Sequence, residues 1–361
     1  MENNERLIEA VKGGDIEFVE KVFRDVIFSQ ASKDKALIVS ATKGYVELVF
    51  FFLQAGADIH AEADSSLRFA AKNGHLATVE RLLRAGADVH SLRDMALCSA
   101  AAEGHLKVVK CLLQAGADLH ACEDRAIRWA AVGGHIEMVD FLLSAGCDVS
   151  ARDNQLIFEA VESGRLEMVK FLVDRGIFSA SKAGLDLAFA KAAANGYIEI
   201  VDFLLQPQHV SPPQINRREN ITPVQSGADL HFDDDYALCL AVEFGHSKVV
   251  KYLVRAGANI HTLDEYPLCL AAEGGHLSIV KYLLEEGADL HAGQDRAFRK
   301  AAATGKLKMV KYLLGAGADL HARDDYALTK AGENGHEKVV KYLMKEREVS
   351  CTTTAPLSRK G

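Results

Sequence analysis

Fourteen histidines and seven cysteines are the side chains of this 361-residue sequence best suited to bind a metal or act as nucleophiles. Thirteen of the histidines fall on two periodic positions. His60, His90, His120, His231, His261, His291 and His321 follow a Gly-Ala-Asp or Gly-Ala-Asn turn; His75, His105, His135, His246, His276 and His336 follow a lone glycine. A zinc ion holds its ligands at about 2 Å, so its imidazoles must converge to roughly 3–4 Å of one another. Residues that recur once per helix pair stand about 10 Å apart and cannot converge. A structural role in turn hydrogen bonding is expected for both sets. Histidine also titrates near neutral pH, and charging the first set would lessen the acidity of its edge. Cys98, Cys239 and Cys269 share one repeat position, while Cys111, Cys122, Cys147 and Cys351 are scattered. An odd number without C-x-x-C spacing is neither a disulfide framework nor a zinc site. The sequence has no G-x-S-x-G, no P-loop, no H-E-x-x-H and no G-x-G-x-x-G opening a helix after a strand. Catalysis needs a unique constellation in a pocket, and a periodic chain supplies none. The expectation is a non-enzyme with no cofactor and no metal.

What positions these residues is one repeated element, seen in Gly317 to Met344 as GADLHARDDYALTKAGENGHEKVVKYLM. Asp325 is placed to cap a helix, its carboxylate accepting a first-turn N–H. Leu328 and Ala331 give that short helix an apolar face. Gly335 ends it in the left-handed conformation. Val339, Val340, Leu343 and Met344 then form an apolar stripe too broad for one partner. The glycine between the helices recurs at 14, 44, 74, 104, 134 and 164, then at 196, then at 245, 275, 305 and 335. That is eleven copies, nearly all thirty residues apart. A single copy cannot bury its own stripe, but stacked neighbours can. Small residues at the Ala301–Ala302 position allow close approach, and large ones there would overpack it.

Helix–turn–helix plus a Gly-Ala-Asp turn resembles the ankyrin repeat. The match is fullest in Leu263 to His291, where Tyr266-Pro267-Leu268-Cys269 stands for the family's Thr-Pro-Leu-His. The resemblance implies an all-α ankyrin-repeat solenoid of about eleven stacked helix-turn-helix units with short hairpin turns. Thirty residues replace the usual 33 or so, and the residues removed lie between Gly-Ala-Asp and the next helix. This short, histidine-containing variety resembles the repeats common in ankyrin proteins of giant viruses.

Five segments are expected. Residues 1–54 are degenerate N-terminal capping repeats, with Glu9 where inner copies have a large apolar residue and with Phe50-Phe51-Phe52 assigned to the core. Residues 55–206 are ankyrin repeats, irregular after 150. Residues 207–226 hold four of the six prolines and form an insertion loop. Residues 227–349 are regular repeats, and 350–361 form a disordered tail. On helix B the recurring Lys-Tyr pairs, from Lys251-Tyr252 to Lys341-Tyr342, read as an outer face with lysine snorkelling and tyrosine packing sideways.

The net charge of −8 argues against nucleic-acid and anionic-membrane partners. Acids crowd the turns, as in Asp233-Asp234-Asp235, so a protein with a basic or mixed surface is the natural complement. Scattered cysteines, a leaderless N-terminus and no bilayer-length apolar run point to the cytoplasm, or the host cytoplasm for a viral protein. A monomer is expected. The family resemblance implies a non-enzymatic interaction scaffold that grips a protein on its concave face of hairpins and first helices, with a host-protein adaptor as one form. The alternative is a structural or neutral member of an expanded repeat family without a dedicated partner. Residues that vary at otherwise constant positions are the candidate readers: Arg125, Tyr236, Glu243, Phe244, Tyr266, Glu273, Arg296, Tyr326 and Glu333. Tyrosine and arginine are the types enriched at binding hot spots. Tyr236, Phe244, Tyr266, Arg296 and Tyr326 would line up as an aromatic and arginine strip. Trp129 reads as a half-buried packing residue.

Overall fold

Alanine-rich first helices and valine–leucine second helices are encoded in most copies, and both form. A computed structural model describes residues 2–24, 26–147, 155–175, 182–206 and 227–353. Among them every regular element is helical, in eleven pairs. Copies 1 to 3 are α1 (Glu2–Gly13) with α2 (Ile16–Arg24), α3 (Gln30–Lys43) with α4 (Val46–Gln54), and α5 (Ala61–Lys72) with α6 (Leu76–Arg84). Copies 4 to 6 are α7 (Ser91–Ala102) with α8 (Leu106–Gln114), α9 (Ala121–Gly133) with α10 (Ile136–Ser144), and α11 (Gln155–Glu162) with α12 (Leu166–Asp174). Copies 7 and 8 are α13 (Lys182–Asn195) with α14 (Ile198–Leu205) and α15 (Phe232–Glu243) with α16 (Ser247–Ala256). Copies 9 to 11 are α17 (Thr262–Gly274) with α18 (Leu277–Glu285), α19 (Ala292–Ala303) with α20 (Leu307–Gly315), and α21 (Ala322–Glu333) with α22 (Glu337–Thr353).

Two compact units result, Met1–Leu172 and Val173–Gly361. In the first, α1, α3, α5, α7, α9 and α11 pack in sequence order, each on the next. In the second, α13, α15, α17, α19 and α21 do the same. Alanine pairs make each seam: Ala100–Ala101, Ala130–Ala131, Ala271–Ala272 and Ala301–Ala302 are fully buried. The second helices close the interior with residues such as Val109, Leu112, Val250 and Leu253, also fully buried. The apolar stripe of each copy is thus covered only because a neighbour is there.

The turn joining the two helices explains one histidine set. Gly104 sits at φ 76°, and a Cβ on it would lie 2.5 Å from Nδ1 of His135 in the next copy. The imidazole therefore rests on the bare glycine. Its Nε2 lies 3.0 Å from the Ala102 carbonyl, a hydrogen bond across copies. His75, His246, His276 and His336 repeat this bond to the preceding copy. Where histidine is missing, Tyr45, Arg165 or Lys306 covers the glycine instead.

The segment between copies departs from expectation. No β-hairpin forms among the described residues. Three consecutive residues before each regular first helix adopt the left-handed conformation, as in Glu62-Ala63-Asp64 with φ of 51°, 56° and 52°. Each such residue costs about 1–2 kcal/mol in isolation, so the surroundings must fix it. They do so through the last residue of the triplet. Asp64 is buried, and its Oδ1 accepts the Asp88 N–H of the next copy at 2.9 Å and lies 3.1 Å from His60 Nδ1. Asp94 joins Asp118, Asp235 joins Asn259, and Asp295 joins Asp319 in the same way. Asp34 joins Asp58, with Gln30 in place of histidine. The acid at the Asp325 position is therefore a tie between copies and does not cap its own helix, whose preceding residue His321 makes no side-chain cap bond. The physical reason is that a residue at positive φ turns its side chain away from the first-turn N–H groups and toward the neighbour.

Copy 9 breaks this rule in one atom. Glu265 occupies the tie position, contacts His261 Nδ1, and leaves its buried Oε2 without a hydrogen-bond partner. The Asp289 N–H makes no bond to Glu265 like those the aspartates accept in the other copies. Glu265→Asp is expected to raise stability by about 1 kcal/mol, the worth of one recovered hydrogen bond, read as a higher urea midpoint at unchanged slope.

Residues 207–226 lie outside the described residues, yet the helices on either side are packed in register. Asp186 Oδ1 accepts the Asp229 N–H at 2.6 Å across 43 residues, where the other ties span 24. The excess of 19 is the insertion. Tyr252 Oη donates to Asp202 at 2.6 Å across the same gap, and burial plus this bond push the phenol up to about 12. The stack of the second unit thus runs through the insertion point, and no boundary between units falls there.

Two further expectations meet the coordinates differently. α22 continues to Thr353, four residues into the segment assigned to a disordered tail; residues 354–361 lie outside the described residues. Of the three phenylalanines in α4, only Phe52 is fully buried, and Phe50 is 43 % exposed beneath Arg81. A helix in a single-file stack has a third, outward side, and Phe50 lies on it. Glu9 is exposed and paired with Lys12.

Candidate partner-binding face

In copies 3 to 5 and 8 to 11 the regular turns of the first helix follow directly on a left-handed triplet, so the residue there projects at a fixed angle beside the exposed turn. In copy 8 this residue is Tyr236, 38 % exposed. Phe244, at the other end of the same helix, is 58 % exposed. In copy 9 Tyr266 is half-buried beneath Arg296 of copy 10, whose guanidinium lies 5.8 Å from the ring centroid. Pro267 follows at the first regular helical turn, where a missing N–H costs nothing.

Copy 11 is different. Tyr326 is flanked by Arg299, Arg323 and Lys330, at 5.2, 5.9 and 5.8 Å. Arg299 is buried and donates to the Gln294 and Gly293 carbonyls of its own turn. Tyr266 and Arg296 are brought into contact, whereas Tyr326 draws its cations from other residues, so the strip is a row of separate clusters. Glu273 pairs with Lys300 at 3.1 Å, and Glu333 with Lys330 at 2.5 Å. Glu243 is exposed, and its carbonyl oxygen pairs with His276 Nε2. In the first unit, half-buried Arg125 lies 5.4 Å from the ring of half-buried Trp129.

The turns carry the acids outward. Asp233, Asp234, Asp264 and Asp324 are all exposed. Two apolar residues join them that sequence reasoning did not single out: Leu92 and Leu263, 52 % and 55 % exposed at the first position of their triplets. Their signal was a leucine in an otherwise polar turn. It went unread because a turn leucine suggests packing unless the backbone hand is known.

Reactive chemistry finds little support on either unit. Burial pushes the Cys98, Cys147 and Cys239 thiols up to about 12 and Cys269 to about 11. Thiols so protonated are poor nucleophiles. Among the described residues no cluster of histidine, cysteine or acid is arranged to hold a metal ion. The turn histidines each meet the acid four residues on, as His291 meets Asp295 at 3.1 Å. No helix among the described residues is long and apolar enough to cross a membrane.

A family model described as ankyrin repeats, in three copies, matches residues 67–153, 189–294 and 238–324, which is more than half of the chain. No curated protein matches the sequence. The matched segments cover copies in both units, and the paired helices, the glycine turn and the inter-copy ties are all present within them. The chain belongs to the ankyrin repeat family.

Proposed function

We propose that this protein is a non-catalytic interaction scaffold that holds a protein partner on the edge formed by its left-handed turns and first helices. Ankyrin repeats as a family mediate protein–protein interactions. The observation that carries the reading here is Tyr236 and Phe244. Both are large side chains left exposed on a first helix that buries Ala237, Leu238, Cys239, Ala241 and Val242. The Tyr266–Arg296 pair in the same unit adds an aromatic ring already ordered by a stacked cation, which lowers the entropy lost on binding. Exposed acids on the same edge suit a partner with a basic or mixed surface. A monomeric, cytoplasmic scaffold fits the unpaired cysteines. A host-protein adaptor is the narrower form of the reading, and it rests on the giant-virus resemblance.

The test is the triple variant Tyr236→Ala, Phe244→Ala, Tyr326→Ala. Affinity capture followed by mass spectrometry identifies partners of the parent protein, and the affinity of a purified partner is then measured for both proteins. Hot-spot residues contribute about 2 kcal/mol each, so affinity is expected to fall by at least about a hundredfold while the melting temperature stays put. A partner bound equally well by the variant would remove this face from consideration. A collapsed melting temperature would make the rings packing residues.

A further inference from the structure

The second helices of copies 8 to 11 place lysines in two columns on their outer side. Lys248, Lys308 and Lys338 form one column; Lys251, Lys281 and Lys311 form the other, three residues further on. All six are exposed. The second column is held in a fixed posture: each Nζ lies over the tyrosine ring of the next copy, at 5.3, 5.3 and 5.1 Å from Tyr282, Tyr312 and Tyr342. Among the described residues no carboxylate reaches ion-pair distance of these six. Lys341, which continues the second column, meets Glu337 at 3.6 Å on an open surface.

The charge of −8 therefore averages two unlike sides. Many acids of these copies ride on the turns that follow the second helices, as Asp264 and Asp324 do, and those on the second helices themselves stand at the end of α18 (Glu285, Glu286) and in α22 (Glu337, Glu346, Glu348). The lysines lie in the first two turns of those helices. A nine-residue helix is about 13 Å long, and charges further apart than about 8 Å are screened from each other at physiological salt. The lysine side presents a cationic field of its own.

The spacing selects the partner. Lys251, Lys281 and Lys311 stand on successive copies and repeat at about 8–10 Å, while the first column skips copy 9, where Ser278 stands. Side chains on one face of an extended peptide repeat at roughly 6.6 Å, and a nucleic-acid strand carries a phosphate every 3.4 Å or so of axis. Neither runs in step with the columns. Lipid headgroups diffuse laterally and need no register. Lysine, a hydrated point charge, suits a diffuse anionic layer better than it suits bidentate phosphate recognition. We propose that the outer face of the second helices in copies 8 to 11 adsorbs reversibly to an anionic lipid surface.

Co-sedimentation of the full-length protein with vesicles tests this. Phosphatidylcholine vesicles containing about 30 % phosphatidylserine are compared with pure phosphatidylcholine, at about 0.1 M and 0.5 M NaCl. Binding is expected only to the anionic vesicles and only at low salt. The variant Lys248→Gln, Lys308→Gln, Lys338→Gln removes the column that touches no ring. It should bind about a hundredfold more weakly, at about fivefold per lysine, with an unchanged circular dichroism spectrum. The corresponding Lys→Arg variant should restore binding. Three results would overturn the proposal: no binding to the anionic vesicles at low salt, binding unaltered in the glutamine variant, or tighter binding to a duplex DNA probe that the same variant abolishes.

Discussion

Gly104→Ala is expected to destabilise the protein by about 3 kcal/mol, well beyond what one added methyl group suggests. Two costs combine. Gly104 has a φ of 76°, a conformation that costs an alanine about 1–2 kcal/mol. The new Cβ would also stand 2.5 Å from the His135 ring. The imidazole must then leave its seat and give up its bond to the Ala102 carbonyl, for a further 1–3 kcal/mol or so. Gly335→Ala is the control. Its φ is 75°, but no ring is seated on it and nothing lies within 4 Å of its Cβ position. Only the backbone cost of about 1–2 kcal/mol should remain. Urea denaturation measures both variants, and because repeat stacks unfold piecewise, amide exchange should place the Gly104→Ala loss in copies 4 and 5. Equal losses at the two sites would mean that the ring seated on the glycine contributes nothing.

Asp94→Ala should cost about 3 kcal/mol. Asp94 is 4 % exposed and accepts the Asp118 N–H at 2.9 Å, with His90 Nδ1 at 3.1 Å. Truncation takes the buried acceptor away from the Asp118 N–H, a part-buried bond whose loss costs about 1–3 kcal/mol. It also removes the contact that fixes the left-handed triplet ending at Asp94. Asp325→Ala should cost less than about 1 kcal/mol. Asp325 is partly exposed; beside His321 Nδ1 it has, in place of a backbone N–H, Arg347 Nη1 at 3.4 Å, on an open surface. The contrast separates two accounts of these acids. A helix cap would cost the same at both ends of the chain, whereas a tie between copies matters only where a copy follows.

Both predictions turn on the same feature of the polymer. A residue's worth depends on whether the next copy exists, so identical substitutions in identical local sequence have different effects. The lysine columns obey the same logic: Lys311 has the Tyr342 ring to rest on because copy 11 is there.

The repeat length, the helix pairs and the glycine turns were legible in the sequence, because periodic spacing of glycine, alanine and branched residues constrains local conformation directly. The alanine seam was legible as well, since only small residues at Ala301 and Ala302 permit packed helices. The acids were visible but misassigned. Their recurrence four residues after each turn histidine was a signal of pairing, yet helical capping is the ordinary use of aspartate before a helix, and nothing local reveals the left-handed backbone hand. The candidate face was only partly readable. The variable positions identified Tyr236 and Tyr266 from sequence, but the degree to which Phe244 and Leu263 stand clear of neighbours is set by packing between copies. What the sequence determined by itself is the repeating helix pair and its need for neighbours, because those follow from spacing along one chain. What tertiary structure decided is the direction of each turn, the partner of each buried acid and the separation of acidic edge from lysine face. Those depend on which atoms of the next copy arrive within hydrogen-bond reach, and that distance is written in no single repeat.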